Sequence, residues 1–290
     1  VSDDAQLERL VAEVLASPKY RAISPDAVRA IGMRELAAHR SFKDAVKATR
    51  NKLHQTAGAF LGDRPRYNQW LAELSEAQSA KRQAPSAEQR AGAGAEHSRL
   101  RPHASALARA CERVMLHHAS TRERLPILEA FYRTLFASLP PVTSVLDLAC
   151  GLNPLAMPWM PLAAGAAYYA CDLYGDQVDF LNQFFALAGV PGEAFVCDLV
   201  AGAPQQRADV ALALKLLPVL EQRAKGTALA LLRAVNAPHI VVSFPTQSLG
   251  GRGKGMAANY AAWFAALVAG EEWQVRRHDF AGELVFVVAK

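Results

Sequence analysis

The run Val145-Leu146-Asp147-Leu148-Ala149-Cys150-Gly151-Leu152-Asn153-Pro154-Leu155-Ala156 constrains this chain more than any other stretch. An apolar strand that ends in an acid, small residues and a glycine must turn sharply, and the turn leaves a nucleotide-sized crevice at the strand's carboxyl end. Asp147 can accept hydrogen bonds there, while Ala149 and Gly151 let a ligand approach the backbone closely. A tight strand-to-helix turn with no ligand is the alternative reading of this loop alone.

Two further apolar strands end in acids about one βα unit apart, Tyr168-Tyr169-Ala170-Cys171-Asp172 and Ala194-Phe195-Val196-Cys197-Asp198. In an open parallel sheet, ligands sit beyond the carboxyl ends of the strands, so Asp147, Asp172 and Asp198 are expected along one edge. Each acid taken singly could instead be a helix N-cap. A dinucleotide fingerprint needs three glycines, but Ala149 and Pro154 stand at the first and third positions, which argues against cradling a pyrophosphate. S-adenosylmethionine (SAM) fits better, with Asp172 placed for both ribose hydroxyls and Asp198 for the adenine amino group. Asp209–Lys215 and His239–Phe244 read as buried central strands. Trp273–His278 and Leu284–Ala289, joined by a turn at Gly282, pair as an antiparallel hairpin. The fold class is α/β: a Rossmann-like, mostly parallel sheet with a terminal antiparallel hairpin, the class I SAM-dependent methyltransferase layout, preceded by a helical domain.

With 290 residues, 51% of them apolar, the chain can bury one large core and a smaller one. Residues 1–77 read as a helical domain with breaks at Ser24-Pro25-Asp26 and Asp63-Arg64-Pro65-Arg66. Residues 78–103, rich in Ala, Gly, Ser, Gln and Arg, read as a flexible linker or insertion, and residues 104–290 as the transferase domain. Leu125 through Ala137 has the pattern of one amphipathic helix, and Ser120 with Glu123 has the spacing of a capping box before it. Arg124, one turn inside, could present its planar fork to a carboxylate.

Charge is unevenly placed. Between Lys19 and Lys52 nine basic residues face three acids, a net +6 against +5 for the whole chain. Lys43, Lys47 and Arg50 follow helical spacing, a stripe suited to a phosphate backbone, with a solvated helix face as the plain alternative. The four cysteines lack metal spacing and read as reduced and structural, so no metal is expected. Val1-Ser2-Asp3-Asp4 does not resemble a signal peptide and no apolar run approaches membrane-spanning length, so a cytoplasmic protein away from membranes is expected; the residues are silent on oligomeric state, for which a monomer is the default expectation.

Taken together, these residues resemble the 16S rRNA guanine-N7 methyltransferases that confer aminoglycoside resistance, the Arm/Rmt/Sgm/Kgm group acting on guanine 1405 in conventional rRNA numbering. The similarity runs nearly end to end, through Ser17–Tyr20, Lys52-Leu53-His54, Gly58-Ala59-Phe60, His118–Leu125, Asp147–Ala156, Leu214–Glu221 and Ser243–Met256. The resemblance implies that Arg124 holds the SAM carboxylate and that His118, Ala119 and Ser120 line its amino acid end. It likewise implies that Ala149 and Gly151 form the loop, that Asp172 binds the ribose, that Asp198 and Leu199 border the adenine, and that Leu214 lines the pocket. Phe60 would reach the cofactor from the helical domain, and Lys215 and Glu221 would face the target nucleotide. The helical domain would dock on 16S rRNA in the 30S subunit through Lys43, Lys47, Arg50 and Lys52, with Arg252 and Lys254 closing over the RNA from a glycine-rich loop. The chain departs from the group in a longer 78–101 segment and in Gln247, which stands where a basic residue is usual. Rival readings are a methyltransferase acting on another RNA site, a small molecule or a protein, and a ribosome-binding protein that has lost catalysis.

Overall fold

The computed structural model describes residues 3–54, 65–83, 105–247 and 255–290. Three helices open the chain: α1 (Asp3–Leu15), α2 (Pro25–Ala38) and α3 (Phe42–Leu53). Proline in the first turn starts α2, where its missing N–H costs nothing, and the Ser41 hydroxyl caps α3 by accepting from the Asp44 N–H at 3.4 Å. Their apolar faces meet in a small core of Leu10, Val14, Ile23, Val28, Ile31 and Leu53, which is completed by Leu173 and Tyr174. Those last two belong to the α/β body, so the helical unit is seated directly on it. A backbone bridge between Ile23 and Tyr174, with the Ser24 N–H donating to Leu173 O at 3.0 Å and Gly175 N–H to Ala22 O at 2.8 Å, fixes the join.

Helix α4 (Tyr67–Gln83) follows, and it packs with the body rather than with the first three helices. Trp70 and Leu74 are buried in the larger core, and Tyr67 stacks on Phe180 with ring centroids 5.1 Å apart. The expected division at residue 77 therefore falls inside a helix that the α/β core has captured, and helix continues to Gln83, past the expected start of the linker at 78. Periodicity marks an apolar face without saying which neighbour covers it. Residues 84–104, most of the expected linker, lie outside the described residues.

Next come α5 (Ala106–Met115), α6 (Ala119–Arg124), a 3₁₀ turn (Leu125–Ile127) and α7 (Leu128–Phe136). The single helix expected over 125–137 is thus divided, with Pro126, which has no N–H to give, in the first turn of the 3₁₀ segment. Arg124 ends one helix instead of lying inside another. The capping box is absent too: His118 is the N-cap residue of α6, and the Glu123 carboxylate is paired with Lys215.

The remaining elements are β1 (Ser144–Leu148), a 3₁₀ segment (Asn153–Trp159), β2 (Ala167–Asp172), α8 (Gly175–Ala188), β3 (Gly192–Val196), β4 (Val210–Leu214), α9 (Leu217–Arg223), α10 (Thr227–Ala234), β5 (His239–Pro245), α11 (Met256–Val268), β6 (Gln274–Phe280) and β7 (Glu283–Ala289). The seven strands lie in the order β3-β2-β1-β4-β5-β7-β6, with β1 to β5 parallel and β7 inserted antiparallel between β5 and β6. Alternate residues serve opposite faces. Val145, Tyr168, Val210 and Val241 pack under α5, α7 and α8, whereas Leu146, Leu148, Ala211 and Ile240 pack under α9, α10 and α11. Strand order reverses between β1 and β4, which opens a crevice beyond their carboxyl ends. β3 stops at Val196, leaving Cys197 and Asp198 in the following loop.

Candidate functional site

The crevice lies where the topology puts it. It offers about 890 Å³ including its open mouth, within the range of small-molecule sites, about 300–1,000 Å³. Two backbone positions shape its floor. Ala149 after β1 and Lys215 after β4 both adopt left-handed conformations, with φ of +50° and +57°, and both line the crevice. Each conformation strains a residue with a Cβ by about 1–2 kcal/mol, and such strain collects where a site needs a particular backbone path. Gly151 is also left-handed, at +53°, and a Cβ there would stand 2.7 Å from Nε2 of His118. The His118 ring, more than the backbone angle that Ala149 and Lys215 share, is what favours glycine at that position.

One end of the crevice is a buried polar network. The Arg124 guanidinium, 1% exposed, donates from Nε and Nη2 to both oxygens of Glu283, at 3.1 and 2.7 Å, and from Nη1 to Oδ1 of Asn153 at 3.1 Å. The Tyr132 hydroxyl donates to the same Asn153 oxygen, and the Asn153 amide donates to Asp147 at 2.8 Å, where the Tyr168 hydroxyl donates too, at 2.7 Å. Burial opposes charge on Arg124, yet Glu283, with Tyr132 and Asp147, together offset it and hold the guanidinium pKa above its usual range. Burial would push Glu283 up, but Arg124 and Lys215 bring it below the ordinary value. Burial lifts Asp147 to about 7 against the pull of its two donors. His118 goes the other way, to about 3, through burial and the neighbouring Arg124 and Lys215 charges, so the ring is neutral.

Arg124 thus lines the crevice with a fork already engaged by Glu283. Three of its five N–H groups are engaged by Glu283 and Asn153, leaving two for a ligand. Lys215 reaches Glu123 at 2.6 Å and lies 3.7 Å from Glu283, tying α6 to the β4 end. On the opposite wall, Asp172 accepts from the N–H groups of Gly151 at 2.9 Å and Leu173 at 2.7 Å, and burial raises its pKa.

The structure brings His118, Ser120, Arg124, Asp147, Ala149, Asp172, Leu199, Leu214 and Lys215 together on the wall of the crevice. Ala119 and Gly151 stand behind it. Two of the expected residues are engaged by internal partners and do not line the crevice. Asp198 is held by Arg223 through a two-pronged pair at 2.7 and 2.9 Å, and Arg223, not Asp198, lines the crevice. Glu221 accepts from the backbone N–H groups of Gly226 at 2.6 Å and Ala228 at 3.2 Å, so it caps the start of α10 and does not face the crevice. Of the basic stripe, Lys43 and Lys47 are exposed, but Arg50 donates to the Glu13 carbonyl at 2.7 Å and ties α3 to α1, and Lys52 is half-buried. Phe60, Arg252 and Lys254 lie outside the described residues. No cluster that could hold a metal occurs among the described residues, and none of their helices is long and apolar enough to cross a membrane.

Asn153, Glu283 and Arg223 were not singled out from sequence. Asn153 sat inside the loop that was read for its small residues. Glu283 had a signal, a lone acid opening the apolar strand Leu284–Ala289, which a buried cation explains.

A mostly parallel sheet in this order, with a deep crevice at its reversal point and acids on its rim, defines a class I methyltransferase. Residues 16–287 match the family described as Ribosomal RNA methyltransferase (FmrO), and the chain belongs to that family. It is similar to the 16S rRNA (guanine(1405)-N(7))-methyltransferase of Frankia casuarinae, 39% identical over 100% of this chain and 95% of the relative. The enzyme of the same description from Micromonospora rosea is 36% identical over 99% of this chain and 98% of its own length. The crystal structure of the 16S rRNA methyltransferase RmtF in complex with S-adenosyl-L-homocysteine superposes with a TM-score of 0.79 at 33% identity, covering 98% of each chain.

Proposed function

We propose that this chain methylates N7 of guanine 1405 in 16S rRNA, using SAM, on the assembled 30S subunit in the cytoplasm, and so confers aminoglycoside resistance. The observation that carries this reading is the coincidence of a full-length match to enzymes of that description with an intact crevice at the sheet's reversal point.

The residues fit the cofactor. A ligand with a ribose, a flat base and a zwitterionic tail needs an acid for its hydroxyls, an apolar slot and a polar far end. Asp172, the Leu199 and Leu220 walls, and the Arg124, Ser120 and Asn153 end supply these in turn. When bound, SAM supplies an electrophilic methyl group on a sulfonium centre. Guanine N7 carries a free lone pair at neutral pH, so the protein needs no general base. The side chains agree: His118, lowered to about 3, is too weak a base to take a proton at neutral pH, and Asp147 is occupied by Asn153 and Tyr168. What remains for the chain is alignment and extraction of the base from its stack. Lys215, anchored by Glu123 at the rim, positions the target, and Lys43 and Lys47 meet phosphates.

Incubation of unmethylated 30S subunits with methyl-labelled SAM should give stoichiometric label in 16S rRNA, with naked 16S rRNA in parallel to show whether assembly is required. Absence of label from both substrates would refute the reading. Lys215→Ala should slow transfer about 10- to 100-fold while SAM affinity by calorimetry stays near that of the unmodified chain. A collapse of SAM affinity would instead place Lys215 among the cofactor ligands.

A further inference from the structure

Strand β5 carries a hydroxyl where its sequence is otherwise apolar. Ser243 stands among Ile240, Val241, Val242 and Phe244, and all five are 0% exposed. A buried hydroxyl is costly unless it is hydrogen-bonded, and this one is bonded to two residues of the site's charged network. Its oxygen accepts from the Lys215 backbone N–H at 3.1 Å, and its own O–H donates to the Glu283 carboxylate. The same Lys215 N–H also donates to the Ser243 carbonyl at 3.0 Å, so one residue of β5 holds that amide twice. Strand register brings the three together: Ser243 lies beside Leu214, the last residue of β4, and beside Val285 of β7, two positions from Glu283.

The amide it holds belongs to the left-handed residue that follows β4, with φ of +57°. A lysine in that conformation is strained, and the strain persists only where the surroundings over-determine the backbone. The backbone angles also set the direction in which the side chain leaves the chain, so a relaxed turn would swing Nζ away from Glu123. Glu283 depends on the hydroxyl less, because Arg124 already bonds both of its oxygens. Given that Lys215 positions the target base, as proposed above, we infer that Ser243 is a positioning residue for methyl transfer, acting through the backbone of Lys215. At 0% exposure its hydroxyl meets neither cofactor nor RNA. It fixes the turn from which the lysine side chain is presented to the crevice, and without it the amine samples directions that miss the target.

The test compares Ser243→Thr with Ser243→Val in the full chain, two side chains of nearly the same shape that differ by the hydroxyl. In single-turnover transfer at saturating SAM and 30S subunits, the threonine variant should react about tenfold faster than the valine variant, with the same half-saturating subunit concentration and the same SAM affinity by calorimetry. In a Lys215→Ala background the two should react alike, since the side chain that the hydroxyl positions is gone. Equal rates with Lys215 present, a rate difference that survives Lys215→Ala, or a difference confined to SAM affinity would overturn the inference. Hydrogen exchange at the Lys215 amide, followed by NMR, needs no reaction: it should be about tenfold faster in the valine variant than in the threonine variant, and equal exchange would overturn the inference too. Absence of transfer by the unmodified chain would instead refute the proposed function, and the exchange comparison would still decide whether the hydroxyl holds this turn.

Discussion

Two sets of charges on this molecule obey opposite rules. Arg124, Glu283 and Lys215 are buried and paired, with Glu123 supplying the second carboxylate, while Lys43 and Lys47 stand in solvent on α3. A buried ion gains its place only through a partner, and removing one partner strands the other in a low dielectric. An exposed ion contributes little to folding but keeps its full long-range attraction for a polyanion, subject to salt. The first set builds a rigid binding site; the second is free to attract a partner. The comparison explains why the two respond to different perturbations.

The sharpest way to break it is Glu283→Ala, which leaves Arg124 and Lys215 facing each other without the carboxylate between them. A loss of about 3–5 kcal/mol is expected, read as the shift in a urea midpoint, and an unchanged midpoint would mean that the network is not load-sharing.

Next in size is a pH effect inside the buried set. Asp147 titrates at about 7 when folded against 3.8 as the reference carboxyl value, so between those values the folded chain holds a proton that the unfolded chain has lost. Its contribution to stability therefore falls as pH rises through that window, by up to about 1.4 kcal/mol per pH unit. His118, lowered to about 3 from 6.5, contributes with the opposite slope between those values. The stability advantage of the unmodified chain over Asp147→Asn should thus shrink as pH rises from about 4 to about 7. An advantage that grows over that range would show that the carboxyl is ionised throughout.

The exposed set calls for the converse result. Lys43→Glu with Lys47→Glu should reduce 30S affinity and flatten the plot of log affinity against log salt by about two units of slope, with stability within about 0.5 kcal/mol of the parent. Loss of stability without change in slope would move these lysines into the structural class. The smallest effect separates Glu221 from both sets. As a cap on α10, Glu221→Ala should cost about 1 kcal/mol and leave cofactor affinity unchanged, and a large drop in affinity would restore it to the site.

The frame of this molecule was readable in its sequence because buried parallel strands are written as apolar runs, and three of those runs end in acids. The terminal hairpin was equally plain, since the short turn holding Gly282 leaves no room for a helix between its strands. Pairing between distant side chains was not readable. Arg124 and Glu283 lie 159 positions apart, and nothing local to either names the other. Asp198 looked free because Arg223, 25 positions on, has the character of an ordinary helix-end arginine. Only the resemblance places Glu221 at the target, and the two backbone N–H groups that hold its carboxylate at the start of α10 are not marked in the sequence. The place of α4 was hidden for a related reason, as Trp70 could equally have faced either core.

The account's central claim is that this crevice aims a methyl group at N7 of one guanine, and one reaction maps that atom. After incubation with SAM, 16S rRNA from 30S subunits is reduced with borohydride and treated with aniline, which cuts the strand where guanine carries an N7 methyl group. A single new cleavage at nucleotide 1405 is the predicted result, dependent on both protein and SAM. Intact RNA at that position, with label incorporated elsewhere or not at all, would contradict the account.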